Sequence, residues 1–409
     1  MTSALLDDTL VLPEQVTVER LDAFWMSWSR RYAKDLDSEF VLDLSASTFI
    51  DPVALLHVVA IVRDRQSRGA TTRIRLPESQ QVRDFLRAWR FPEGVYEASG
   101  ARFYDLVHSQ DTRYFGEPQR FYVMADKSPS EDELETYSAE QIIEYLESRR
   151  FFGLMIYDLS TKTNSNRMLD EQHTEWREPL ISKVLNRHLR GPGSDVARVH
   201  IFELLANAIQ HPKAEVAGVV SSVQGPKGEP PRWLTISVWD DGEGIVETLR
   251  AGLRHGHRVR VHDTDIDDLF VVDEHGHITE LETTWEPSRD EEPSDAHLLV
   301  ASFFPGISER GYARVEPVQH PDSEVAEELV GKGDSDAEVG MGLCMLYRSV
   351  LDTFGGTIAV RSDNLFMNVK RKRATKGEQR RCYKAKVVSY DTQTHFPGNM
   401  ITLRIPTQP

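Results

Sequence analysis

The run TISVWDDGEGI (residues 235–245) constrains this chain most, because an alternating strand pattern ends there abruptly in acids and glycines. Gly242 and Gly244, one residue apart, permit close approach of the backbone to a ligand. Asp240, at the strand end, supplies a carboxylate that can accept a hydrogen bond. Adenine offers an N6 amino donor where guanine offers an O6 acceptor, so a buried carboxylate at this point selects adenine. Taken alone, the run also fits a turn-forming or calcium-like acidic loop, although it lacks the alternating oxygen ligands of an EF-hand.

Two further segments add chemistry. In VARVHIFELLANAIQHP (residues 196–212), Val199, Phe202, Leu205, Ala206 and Ile209 recur at three- and four-residue steps, which predicts a helix. Glu203, Asn207 and His211 then stack on one face, a turn apart. An Asn carboxamide oxygen is a neutral, hard ligand suited to Mg²⁺, and a Glu one turn earlier can orient and deprotonate a water beside a metal-bound phosphate. A solvated polar stripe is the plainer alternative. In VGMGLCMLYRSVLDTF (residues 339–354), Gly340-Met341-Gly342 opens a helix, which offers unhindered backbone N–H groups and a positive dipole end to phosphate. A lone Gly-x-Gly is more often just a turn. Here it is followed by Gly355-Gly356 and a strand, TIAVRS.

Taken together, the three elements resemble the N, G1 and G2 boxes of the GHKL superfamily: the gyrase, chaperone, histidine kinase and MutL ATPases. The resemblance covers residues 169–409, through the final strand in FPGNMITLRIP. It implies ATP and Mg²⁺ as cofactors, Glu203 as the water-activating carboxylate and Asn207 as the Mg²⁺ ligand, with His211 beside the nucleotide. It further implies that Asp240 binds the adenine amino group, that Gly242, Gly244 and Ile245 line the base pocket, and that Gly340, Met341, Gly342 and Leu343 meet the phosphates. The run ELLANAIQH is most similar to anti-sigma-factor kinases, which also place a His four residues after the Asn. Residues 246–339 form a segment far longer than the lid of a compact kinase of this superfamily, so the lid is expected to be enlarged. It contains a hairpin signal, FVVDEHGHITEL, and the run SFFPGISERGYARV. Ser308, Arg310 and Lys332 are its candidates for touching the γ-phosphate.

The first 110 residues read differently. FVLDL, an apolar helix over residues 51–66, TTRIRL and a second helix over residues 78–89 give a βαβα order. With the turn sequence STFID this is similar to a STAS domain, the small fold of anti-sigma-factor antagonists. In that family a Ser or Thr phosphorylated by a partner kinase commonly follows the Asp. Here Asp51 is followed by Pro52, so that switch is expected to be absent, with Ser45, Ser47 and Thr48 as the nearby hydroxyls. Residues 111–168 read as a connector. The whole is thus expected to be α/β (α+β), a STAS-like domain joined to a GHKL α/β sandwich.

Composition excludes several classes. A formal charge of −17 over 409 residues argues against chain-wide affinity for nucleic acid or anionic lipid. Within a basic insertion at residues 368–388, residues 370–386 hold nine Lys and Arg against one acid, so nucleic acid would be met through that segment alone. The plainer reading of that stretch is a solvated loop or a clamp onto acidic surface of the same chain. No apolar run reaches the ~20 residues that span a bilayer. Cys344 and Cys382 cannot form a cysteine-rich zinc site or a disulfide framework, and a cytoplasmic setting is expected. His255, His257, His262, His275 and His277 lack metal-ligand spacing, and His173 in EQHTEWREPL lacks the setting of a phosphoacceptor. The expected function is an ATP-binding regulatory switch with slow hydrolysis and a protein partner, compatible with a homodimer. The alternatives are a protein serine/threonine kinase acting on a STAS-like partner, and an ATP-binding module without turnover.

Overall fold

The computed structural model describes residues 9–17, 20–21, 40–101, 106, 152–160, 177–190, 194–210, 213–224, 232–254, 266–273, 275–281, 293–303, 346–372, 383–390 and 396–407. They mix helices and strands around one nine-stranded sheet and two small ones, of three and two strands.

In the N-terminal unit, β1 (Thr9–Val11), β3 (Phe40–Asp43) and β5 (Thr72–Arg75) form a parallel sheet in the order β1-β3-β5, and β2 (Gln15–Val16) pairs in parallel with β4 (Phe49–Ile50). Parallel neighbours need a crossover, and α1 (Pro52–Ser67) supplies the one between β3 and β5. Its start is well specified: the Asp51 carboxylate accepts the Val53 N–H at 3.0 Å, and Pro52 occupies the first turn, where its missing N–H costs nothing. Every residue from Pro52 to Val62 is buried. A helix that is apolar all round must be covered all round. One side of α1 meets its own unit, which also contains α2 (Gln80–Ala88) and α3 (Phe91–Ser99).

The large sheet supplies the cover for the other side. Nine strands run in the order β10 (Ile278–Leu281), β9 (Ile266–Val272), β13 (Tyr383–Ser389), β12 (Leu365–Arg371), β11 (Thr357–Asp363), β14 (Phe396–Thr407), β8 (Arg232–Asp240), β7 (Val216–Gln224) and β6 (Met155–Asp158). All neighbours are antiparallel except β13 and β9. Side chains alternate between faces along each strand. Leu234, Ile236 and Val238 of β8, with Ile401, Leu403 and Ile405 of β14, face one core. That core is closed by α4 (Glu178–His188), α5 (Ser194–Gln210), α6 (Ile245–Arg254), α7 (Asp295–Ala301) and the π-helical turn Ser349–Thr353. Ile156, Val216, Val220, Trp239, Phe396 and Met400 face the opposite way and share a core with α1. Gly218 makes the approach of α1 close: a Cβ there would lie 2.8 Å from Leu56 Cδ1 and 2.8 Å from Ile156 Cδ1.

Three expectations are adjusted. The expected apolar stripe of α5 holds at Leu205 and Ile209, which are buried, but not at Val199, which is 63% exposed, while Ala197, Ile201, Leu204 and Ala208 are buried with His200. The segment expected as connector ends in β6, an edge strand of the large sheet. The hairpin within residues 246–339 is β9 and β10, and β9 pairs with β13, so these strands extend the sheet. Lys372 reaches Asp268 of β9 at 3.0 Å and the Lys384 ammonium lies 4.5 Å from the Phe270 ring centroid, a local clamp of basic on neighbouring strands. No helix among the described residues is long and apolar enough to cross a membrane.

Candidate functional site

Antiparallel register places three polar residues side by side at one end of the central strands. Asp240 of β8 stands opposite Asn399 of β14, and Asn399 opposite Ser362 of β11. All three are buried. Each continues an alternation that faces α5: Asp240 follows Ile236 and Val238, Asn399 precedes Ile401, and Ser362 follows Ile358 and Val360.

Buried polar atoms demand partners, and this row supplies them mutually. The Asn399 amide donates to Asp240 Oδ1 at 3.2 Å and to the Glu243 carbonyl at 2.7 Å. Its Oδ1 accepts the Ser362 hydroxyl at 2.8 Å and the Ile245 N–H at 2.9 Å. The Ile245 N–H also donates to Ser362 Oγ at 2.8 Å, and the Gly242 N–H to Asp240 Oδ1 at 3.0 Å. The loop after β8 is therefore held from three strands at once, and Asp240 with it. Lys213, just past α5, pairs with Glu243 on the same loop.

Two glycines make this packing feasible. A Cβ on Gly244 would lie 1.8 Å from Asp363 Oδ2, so the space expected for a ligand at that backbone is occupied by a side chain of β11. A Cβ on Gly398 would lie 1.8 Å from the Asp240 carbonyl oxygen, and its φ of +78° is itself a glycine conformation.

On α5, which packs against β7 and β8, Glu203 is half-buried and Asn207 exposed. Three residues before Glu203, the buried His200 ring bonds Ser349 Oγ at 2.8 Å. Burial lowers the His200 pKa below its ordinary value, which favours the neutral ring. That bond ties α5 to the π-helical turn that follows the Gly340 segment.

The structure thus brings Asp240, Gly242, Gly244 and Ile245 together in one bonded loop, on the sheet face that α5 covers. His211, Gly340, Met341, Gly342 and Leu343, and the lid candidates Ser308, Arg310 and Lys332, lie outside the described residues. Asn399, Ser362 and Gly398 were not singled out by sequence. Their one local signal is an Asn directly after a Gly near the start of the final strand.

By residue type, Asp240 is a fixed buried carboxylate, and α5 carries an exposed carboxamide, Asn207, one turn from the half-buried carboxylate of Glu203, groups that could meet an amino donor and a hard cation. Among the described residues no three His, Cys, Asp or Glu side chains gather as a metal cluster. His275 and His277 sit exposed at the β9–β10 turn, where Asp273 accepts both of their backbone N–H groups. In the N-terminal unit the Ser47 hydroxyl is buried and donates to the Pro13 carbonyl at 3.3 Å, and the Thr48 hydroxyl bonds Glu14.

Comparisons with profiles of known protein families, with curated proteins and with solved structures find no match.

Proposed function

We propose that the chain is an ATP-binding regulatory switch of the GHKL type, with slow Mg²⁺-dependent hydrolysis and a STAS-like N-terminal unit that meets a protein partner. The observation that carries this reading is the row Asp240, Asn399 and Ser362, which holds a carboxylate rigidly at a strand end on the face covered by α5. A carboxylate fixed in this way is preorganised to accept the adenine amino group and to reject guanine, whose O6 would oppose it. Asn207, exposed on α5, would hold the cation, and Glu203 would orient a water and take its proton. A Mg²⁺ held there would supply charge neutralisation to the phosphoryl group being transferred. For phosphotransfer to the chain's own N-terminal unit, Pro52 carries no hydroxyl and Ser47 is buried, which leaves the exposed Thr48 and the half-buried Ser45 as the hydroxyls of that loop.

Calorimetric titration with ATP·Mg²⁺ and GTP·Mg²⁺ tests the reading. Saturable binding of ATP, preferred over GTP, is expected, and Asp240→Asn should weaken it by about tenfold or more. Absence of ATP binding would sink the proposal. Release of free phosphate that Glu203→Ala abolishes separates hydrolysis from a binding-only module. Transfer of the γ-phosphate to a separate STAS-like protein would favour the kinase.

A further inference from the structure

Asp240 and Asp241 are chain neighbours that face opposite sides of β8. Asp240 joins the row facing α5, whereas Asp241 faces the N-terminal unit. There Arg63, near the C-terminal end of α1, donates from Nε to Asp241 Oδ2 at 3.0 Å and from Nη2 to Glu215 Oε2 at 2.5 Å. The second Asp241 oxygen, Oδ1, accepts the backbone N–H groups of Glu215 and Val216 at 2.7 Å each. The Asp241 N–H itself donates to the Val216 carbonyl at 3.0 Å. Both oxygens of Asp241 are thereby engaged, one by the start of β7 and the other by a residue of a different unit.

This pair differs from ordinary surface ion pairs. The Arg63 side chain is 16% exposed and that of Asp241 14%, so the guanidinium and carboxylate are largely withdrawn from water and from screening by salt. Arg63 is also aimed by a stiff element, because the residues of α1 before it are buried between two sheets. A planar guanidinium can hold two carboxylates in fixed directions, which a Lys ammonium does less well.

We propose that Arg63 is a positioning residue of the nucleotide site: by holding Asp241 it fixes the loop of residues 240–245, so docking of the N-terminal unit and nucleotide binding at Asp240 strengthen each other. The inference rests on the reading of Asp240 as the adenine acceptor. Linkage makes the coupling reciprocal: whatever a docked N-terminal unit adds to nucleotide affinity, bound nucleotide adds to docking. A partner that pulled α1 from the sheet would loosen the nucleotide, and loss of nucleotide would free the unit for a partner.

The test uses the full chain and calorimetric titration with ATP·Mg²⁺ and GTP·Mg²⁺. Arg63→Met keeps the apolar stem and removes both ion pairs. It should weaken ATP binding about tenfold and narrow the preference for ATP over GTP, because a loosened Asp240 discriminates less. Asp241→Asn should do the same, and the double variant should lose little more than either single one, as expected of groups acting through one contact. A merely structural role would lower the melting temperature and leave the ATP-to-GTP ratio alone. If Arg63→Met does not fold, Arg63→Lys decides, with an intermediate loss of affinity expected. Wild-type affinity and selectivity in a folded Arg63 variant overturn the coupling and leave the ATP reading intact. If Asp240→Asn binds ATP as the wild type does, or the wild type binds none, the ATP reading fails and the coupling with it.

Discussion

On the α5 face of the nine-stranded sheet, an apolar core gives way at the strand ends to the buried polar row Asp240, Asn399 and Ser362; on the α1 face, the apolar packing of the same strands runs on to their ends. Gly218 has given up its side chain to Leu56 there, and Trp239 is fully buried with its indole N–H on the Pro397 carbonyl at 2.8 Å. His57 is a buried polar side chain of α1 in that layer, bonding the Val53 carbonyl and meeting the Phe396 ring edge-on. The difference shows that the N-terminal unit is part of the large sheet's core, and that both faces of the sheet are packed with apolar side chains, the buried row Asp240, Asn399 and Ser362 lying at the strand ends of the α5 face.

The contrast can be broken from its apolar side first. Trp239→Ala removes the largest side chain of that layer and leaves the Pro397 carbonyl without its donor, for an expected loss of about 4 kcal/mol. Denaturant unfolding followed in both units should show them destabilised together. If the N-terminal unit kept its midpoint, the shared core would be wrong.

Acid attacks the same layer. Burial holds the His57 pKa down to about 4, against 6.5 for the ordinary ring. A depressed histidine pKa means the unfolded chain binds the proton more readily. The corresponding stability is fully present above pH 6.5 and is lost as the pH falls through 6.5 toward 4, about 3 kcal/mol in all. Urea midpoints measured across that range should fall, and His57→Gln should flatten the slope.

The exposed side of α5 should respond in the opposite sense. Asn207 is exposed, so Asn207→Ala should change stability by no more than about 0.5 kcal/mol. The Mg²⁺-dependent part of ATP affinity should nonetheless fall. A stability loss without an affinity loss would move Asn207 from function to structure.

How much of this was readable in the sequence follows from the range of each signal. Apolar residues at helical spacing made α1 legible over residues 51–66, but such a pattern does not say what covers the helix on its second side. Asp240 was legible because a strand running into acids and glycines is a local pattern. Asn399 and Ser362 were not, because the register that joins them to Asp240 links strands more than a hundred residues apart in the chain. Of the expected stripe of α5, Leu205 and Ile209 are buried and Phe202 packs on the core, but Val199 is outside because His200, polar by type, takes the interior position and satisfies itself on Ser349. Arg63 carried no signal at all, since a basic residue late in a helix is ordinary until its partner Asp241 is known.

Hydrogen exchange followed by mass spectrometry, with and without saturating ATP·Mg²⁺, tests the central claim most directly. The account predicts slower exchange in the peptides covering residues 240–249 and the second half of α5, together with the C-terminal half of α1 where Arg63 grips Asp241. Unchanged exchange in residues 240–249 and α5 under conditions that saturate any nucleotide site would contradict it.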